Sequence, residues 1–385
     1  MIEQFYDLKP QVLELDRKTL ELCRDQFAHL EEIRDYNQLK MLRAFTDCGV
    51  EARHFLGSTG YGVWDDSRNK LEEVFSRCMG AEDALVRPQF MSGTHTLTVA
   101  LFGLLRAGDT LLAATGRPYD TLEGVIGIGE AGKGCGTLQE YGIHYDEVPL
   151  LPDFTPDYAA IAEHAKTATV VHIQRSRGYT QRNAFDLNTI QKVADTARKA
   201  NPDVVIFVDN CYGEFTQIRE PLSAGADVIA GSFIKNPGGG IAPTGGYIAG
   251  KKELVEMCAY RLTTPGTGKE IGATLNANRE LFMGAYHAPH VTGEALKTAV
   301  FASALFEILG YETSPKYNDA RGDIIQLIML GNAEKVCRFC EGVQSGSAVD
   351  SFVSPIPSDM PGYESQVVMA CLLYTSPSPR DVEES

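Results

Sequence analysis

Apolar positions change their spacing several times along this chain, and each change marks a different kind of structure. Up to about residue 52, Leu13, Leu20, Phe27, Leu30, Ile33, Leu39, Leu42 and Phe45 recur among charged residues, which predicts a helical arm or packing segment. From residue 84 onward, short apolar runs alternate with longer amphipathic stretches. Residues 84–87, 111–114, 169–173, 204–209, 228–231 and 246–249 have strand length, and residues 96–105 and 187–200 between them read as helices. The run Val204-Val205-Ile206-Phe207-Val208 is apolar at every position, as a strand buried on both faces must be. Strands separated by helices predict an α/β fold with a mostly parallel sheet covered on both sides. After about Glu280 the alternation gives way to a helix, residues 293–309, and then to shorter segments. The expected division is a helical arm over residues 1–57, a large domain over 58–280 and a smaller α+β domain over 281–370.

Charge narrows the field of partners. With 35 Lys+Arg against 51 Asp+Glu, the net charge of -16 argues against nucleic acid or an anionic membrane. No apolar stretch is long enough to span a bilayer, and Met1-Ile2-Glu3-Gln4-Phe5-Tyr6-Asp7 is too polar for a signal sequence, so the cytoplasm is the expected location. The 9 cysteines form no framework. Only Cys337-Arg338-Phe339-Cys340 has CxxC spacing, and without a second pair or a histidine cluster it reads as one face of a helix. At the carboxyl end, Val367-Val368-Met369-Ala370 reads as a strand, and a Ser/Pro-rich run containing Pro377 and Pro379 follows without a turn signal. That run resembles a translated sequencing adapter. Residues 371–385 are expected to be an artefactual or disordered tail, leaving the small domain incomplete with an unpaired edge after Ala370.

Chemistry enters at the carboxyl ends of two predicted strands. Asp209 closes the run at 204–208, and Ser232 and Lys235 follow the run at 227–230. This is the rim where α/β sheets place their ligands. A carboxylate for a pyridine nitrogen and a lysine for an aldehyde, in that order, are what a pyridoxal phosphate site needs. A lone lysine in a glycine-rich loop is more often a solvated surface residue; the preceding Asp209 reverses that reading. Ser92-Gly93-Thr94-His95 opens a helix, where unpaired amides, a bare Gly93 and a hydroxyl from Ser92 or Thr94 suit a phosphate, although an ordinary cap is spelled the same way. His95 reads either as a core or capping histidine or as a residue lying against the cofactor ring. Tyr119, in Arg117-Pro118-Tyr119-Asp120-Thr121, is placed to stack on that ring and offer a phenol for proton transfer. Gly127-Ile128-Gly129-Glu130-Ala131-Gly132 spells a dinucleotide fingerprint, but it follows no firm strand and leads into no helix, so it reads as a loop.

Together with Gly60-Tyr61-Gly62, Gln174-Arg175-Ser176-Arg177-Gly178-Tyr179 and Val208-Asp209-Asn210-Cys211-Tyr212-Gly213-Glu214-Phe215, these segments resemble the methionine gamma-lyase family of the aluminium resistance type. The resemblance runs from about Tyr61 to Ala370 and implies an aspartate-aminotransferase-like fold, pyridoxal phosphate fold type I. It further implies pyridoxal 5'-phosphate as cofactor and a carbon-sulfur lyase that converts methionine, homocysteine or cystathionine to an α-keto acid, ammonia and a thiol. Lys235, Tyr119 and Asp209 are then the catalytic residues, and Ser92, Gly93, Thr94, His95 and Ser232 complete the cofactor site. A homotetramer built from dimers is implied, with Tyr61 reaching the phosphate in a neighbouring subunit. From the residues themselves, Arg175 and Arg177 can pair with surface carboxylates as readily as with a substrate carboxylate, and Arg177 is the one expected to face the pocket. The same Asp and Lys serve aminotransferases, racemases and aldolases, and a non-catalytic oligomeric protein would retain them too. The reaction and the choice of sulfur amino acid stay open at this point.

Overall fold

The computed structural model of the chain describes residues 2–130, 132–178, 180–359, 366–370 and 380–383. At its centre lie seven strands: β1 (Asp83–Arg87), β2 (Thr110–Ala113), β3 (His144–Glu147), β4 (Val170–Gln174), β5 (Val205–Asp209), β6 (Val228–Ser232) and β7 (Gly246–Gly250). Their order is β1-β7-β6-β5-β4-β2-β3. β7 runs antiparallel to both of its neighbours, and the other pairs are parallel.

The helices divide between the two faces because the strand residues do. In β5, Ile206 and Val208 join one core with Val171, Ile173 and Ile229, while Phe207 joins the other with Val170, Val228 and Ala230. The first core is closed by α2 (Arg24–Asp47), α3 (Asp66–Met79), α6 (Tyr158–His164), α7 (Leu187–Ala200) and α9 (Asn278–Ile308). The second is closed by α4 (Gly93–Leu104), α5 (Asp120–Ile126) and α8 (Lys252–Leu262). By the period-two alternation of strands, His172, Gln174, Asp209 and Ser232 all belong to the α4 face. The preceding helix, α1 (Pro10–Leu22), meets α2 at Cys23, and Cys23 packs with Leu296, Val300 and Ala304 of α9. Among the described residues, no helix is long and apolar enough to cross a membrane.

Several boundaries differ from the sequence expectation. α4 begins at Gly93 rather than residue 96, because Ser92 is its cap and accepts the His95 amide at 3.1 Å. α9 begins at Asn278, not near residue 293, and runs through Pro289. A proline removes one helical hydrogen bond, but Leu281, Phe282, Ala285 and Ala288 around it are buried in the first core, and packing outweighs the loss. β3 is polar in sequence and is held as an edge strand by its pairing with β2. The loop at residues 132–137 is gathered by Glu140, whose carboxylate accepts the amides of Gly134 at 2.5 Å, Gly136 at 2.7 Å and Thr137 at 3.0 Å.

After α9 come β8 (Glu312–Ser314), β9 (Leu327–Met329), α10 (Ala333–Ser345), β10 (Val367–Ala370) and β11 (Arg380–Glu383). Cys337 and Cys340 lie on α10, where the buried Cys340 thiol contacts the Val368 carbonyl at 3.7 Å; among the described residues no His/Cys/Asp/Glu group suits a metal. β11 pairs antiparallel with β10, Ala370 opposite Arg380. The edge expected to stand unpaired after Ala370 therefore carries a strand. Residues 371–379 of the expected tail, like Ala131 and Tyr179, lie outside the described residues.

Candidate active site

Four segments meet at the carboxyl rim of the parallel strands: the amino end of α4, the loop from β2 to α5, the turn after β5 and the loop after β6. Gly93 marks their meeting point. A Cβ on Gly93 would lie 3.4 Å from Cys211 Sγ, 3.5 Å from Ser232 Cβ and 3.7 Å from Lys235 Nζ. Its bare Cα thus faces a space bordered by the lysine, the thiol and the serine.

Asp209 is buried, and its Oδ1 accepts the Cys211 amide at 3.0 Å, which holds the turn after β5. That turn contains Tyr212 in the left-handed region, with φ 67°. Lys235 Nζ lies 4.0 Å from the centre of the Tyr212 ring. The lysine loop is fastened to the turn by Asn236 Nδ2, which donates to the carbonyls of Tyr212 at 3.0 Å and Glu214 at 3.1 Å. On its far side α9 comes within reach of the main chain, since a Cβ on Gly239 would stand 2.5 Å from the Gly284 carbonyl oxygen. Burial opposes a charge on Lys235, but Cys211, Tyr212, Asp209 and Tyr119 facing it reverse the balance and raise its pKa above that of a free lysine. Burial also pushes the Cys211 thiol well up.

Ser232 Oγ is fully buried, with no hydrogen-bond partner. An orphaned hydroxyl is uncommon in a native interior. It shares the space with the first amides of α4, those of Gly93 and Thr94, which a helix leaves without internal acceptors. The donor set of a hydroxyl, two helix-end amides, a lysine and a carboxylate fits a phosphate-bearing pyridine aldehyde. Thr94 Oγ1 is joined to Thr121 Oγ1 at 2.6 Å, tying α4 to α5. His95 is half-buried; its Nδ1 accepts the Met91 amide at 3.1 Å, its ring meets Phe90 edge-on, and burial lowers its pKa. Ser92 serves as the α4 cap.

Tyr119 stands at the start of α5, its amide donating to Gln174 Oε1 at 2.8 Å. Tyr61 is on a separate loop and is 83% exposed; Leu56, Trp64 and Leu275 are exposed as well. This loop is laced to residues 272–275 by Gly272 N to Tyr61 O at 2.9 Å and Leu275 N to Ser58 O at 3.0 Å.

Arg177 departs from its expected role. Its Nε donates to the Thr180 carbonyl at 3.0 Å, Nη1 to the Ser314 carbonyl at 2.5 Å, and Nη2 to the Gln181 carbonyl at 2.9 Å. The guanidinium is buried and committed to main-chain carbonyls instead of presenting a fork to a substrate. Arg175 is likewise internal, donating to Asn210 Oδ1 at 2.7 Å and lying 3.7 Å from Glu220. Two residues to which sequence reasoning gave no role lie on the same rim. Gln174 is opposite Asp209 in the register of β4 and β5. His172 is buried, packs on Phe207, has an unpartnered Nε2, and is pushed down to about 4 by burial, with Asp209 opposing. Their only sequence signal is a polar side chain at alternate positions of an otherwise apolar strand.

Comparison with known proteins places this arrangement. A family model described as methionine gamma-lyase matches residues 12–380. Uncharacterized protein YnbB of Bacillus subtilis strain 168 is 44% identical over 342 residues, covering 89% of this chain and 81% of its own. The crystal structure of a carbon-sulfur lyase involved in aluminum resistance from Clostridium novyi NT superposes with a TM-score of 0.91 at 45% identity, covering 96% of this chain and 87% of that one. At 17% identity, the pyridoxal-5'-phosphate dependent protein YhfS from Escherichia coli shares the fold, with a TM-score of 0.59 over 90% of this chain and 87% of its own.

Proposed function

This chain belongs to the methionine gamma-lyase family, and from that premise we propose that it is a pyridoxal phosphate-dependent lyase that cleaves the carbon-sulfur bond of a small sulfur amino acid. The observation that carries the reading is the convergence of Lys235 Nζ, Cys211 Sγ and Ser232 on the bare face of Gly93, with Asp209 on the same rim. When bound, pyridoxal phosphate supplies an electron sink for the pair released at the substrate α-carbon.

The chain's own residues do the rest. Ser232 Oγ and the amides of Gly93 and Thr94 bind the phosphate, an arrangement that places its charge at the positive end of α4. Asp209 holds a proton at the pyridine nitrogen. Lys235 Nζ would anchor the cofactor and would move the proton from the substrate α-carbon and, where sulfur sits on the γ-carbon as in methionine and homocysteine, then one from the β-carbon. The Tyr119 phenol gives its proton to the departing sulfur, leaving thiol rather than thiolate. Methionine, homocysteine and cystathionine are the proposed substrates, with an α-keto acid, ammonia and a thiol as products.

We further propose a homotetramer in which Tyr61 completes the phosphate site of a neighbouring copy. Its support is the exposure of Tyr61, Trp64, Leu56 and Leu275 on segments joined to one another by main-chain hydrogen bonds, since exposed apolar surface in quantity marks contact sites.

The test is a substrate panel on purified protein supplied with cofactor, reading thiol and keto acid, beside Lys235→Ala. The expected result is a visible absorption band and product release in the parent, both lost in the variant. A band without either product from any of the three amino acids would sink the lyase assignment.

A further inference from the structure

Gln174 ends β4 directly across from Asp209, its register partner on β5. The residue is 8% exposed and its side chain is held at both ends: Oε1 accepts the Tyr119 amide at 2.8 Å, and Nε2 donates to the Ser176 carbonyl at 3.2 Å. The main chain of Gln174 is equally fixed, its amide donating to Thr115 Oγ1 at 3.1 Å and its carbonyl accepting Arg182 Nη2 at 2.9 Å. Arg182 itself is buried against Phe185, 4.2 Å from the ring centre. Tyr119 caps α5, its carbonyl accepting the amides of Leu122 at 2.8 Å and Glu123 at 3.3 Å. It lies between β2 and α5, it follows Pro118, which has no amide to donate, and its own amide goes to a side chain instead of a main-chain carbonyl.

We infer that Gln174 is a positioning residue: by holding the Tyr119 main chain to the strand end opposite Asp209, it sets where the phenol stands relative to Asp209 and Lys235. The inference rests on the lyase reading for its catalytic consequence, but the clamp itself is a property of the protein. Glutamine suits the place because it supplies an acceptor for Tyr119 and a donor for Ser176 without charge. A leucine of similar size supplies neither. Glutamate keeps the acceptor, loses the donor, and adds a second carboxylate opposite Asp209.

The experiment compares Gln174→Leu, Gln174→Glu and the parent, full length with cofactor bound, by hydrogen exchange of the peptide spanning 117–123 and by steady-state kinetics. In Gln174→Leu the Tyr119 amide is expected to exchange roughly fivefold faster, as for the loss of one net hydrogen bond. kcat is expected to fall by on the order of 10- to 100-fold, the scale of a small misplacement of a catalytic group, while KM moves less than about twofold. Gln174→Glu is expected to restore the slow exchange and recover part of kcat. Unchanged exchange in Gln174→Leu overturns the clamp, and so does a loss carried by KM with kcat intact. If Gln174→Leu does not fold, Gln174→Asn, one methylene too short to reach Tyr119, is read by the same two outcomes. A parent that turns over no sulfur amino acid removes the lyase reading, and the exchange result then decides the clamp alone.

Discussion

The ammonium of Lys235 lies 4.0 Å from the centre of the Tyr212 ring, and Tyr212 is held beneath it in a left-handed conformation with φ 67°. That conformation costs about 1–2 kcal/mol for a residue other than glycine, so the surrounding structure maintains the ring there against its local preference. A cation over a ring face is stabilised by about 0.5–1 kcal/mol or more, which favours the charged amine. Attachment of an aldehyde needs the neutral one. Tyr212→Leu keeps the backbone strain and much of the packing but removes the ring face. Cofactor is therefore expected to load roughly three times faster at neutral pH, read as growth of the visible band after mixing; slower or equal loading would show that the ring does not restrain the lysine.

Ser232 gives opposite signs in the empty and loaded protein. Its buried Oγ has no partner, so Ser232→Ala removes an unsatisfied group and is expected to leave the thermal stability of the cofactor-free protein equal or slightly higher. A hydrogen bond to a charged phosphate is worth about 1.5–3 kcal/mol, and cofactor affinity should fall by roughly ten- to a hundredfold. Calorimetric unfolding and cofactor titration read the two effects separately.

Glu214 sets a pH dependence. It lies fully buried behind the lysine loop, accepting the Tyr247 hydroxyl at 2.8 Å, and burial raises its pKa to about 8, with the hydrogen bonds opposing. The folded state thus retains a proton that the unfolded chain releases above the ordinary value of 4.5. Its contribution to stability is full below pH 4.5 and declines as pH rises from there to about 8. Glu214→Gln is expected to raise the melting temperature at pH 8 and to change it little at pH 4.5, flattening the profile between. A parallel downward shift at all pH values would contradict the assignment.

Arg177 offers a direct check on its reassignment. Removing a buried guanidinium that serves the carbonyls of Thr180, Gln181 and Ser314 leaves those carbonyls unpaired, at about 1–3 kcal/mol for each that stays dry. Arg177→Met should lower the unfolding midpoint clearly, while KM for the sulfur amino acid stays within about twofold in the folded fraction. A large rise in KM with stability intact would return Arg177 to the substrate.

Much of this site is legible in the sequence because Asp209, Ser232 and Lys235 sit where continuous apolar runs stop, and a buried parallel strand releases its next side chains at the ligand rim. Gly93 is legible for a similar reason, as a helix start after a strand. Gln174 and His172 are hidden, since a polar residue inside an apolar run reads as noise until the neighbouring strand is known. The setting of Arg177 is hidden too, because its partners include Ser314, far along the chain, and no local pattern records that contact. The antiparallel course of β7 was equally hidden: hydrophobic spacing shows that a strand exists and carries no sign of its direction. For β3 the spacing fails altogether, and only its ladder with β2 makes it a strand.

The reversed direction of β7 has a mechanical consequence. Most loops at this rim lead from a strand into a helix, and such a loop is anchored to the sheet at one end only. The stretch carrying Lys235 leaves β6 and re-enters the sheet as β7, next to the strand it left. It is a hairpin with both feet planted in the same layer, pressed from outside by α9. A segment pinned in this way behaves as part of the frame, so any give at this rim falls to the singly anchored loops around it, such as the one bearing the glycines beyond α5, while the lysine keeps its station.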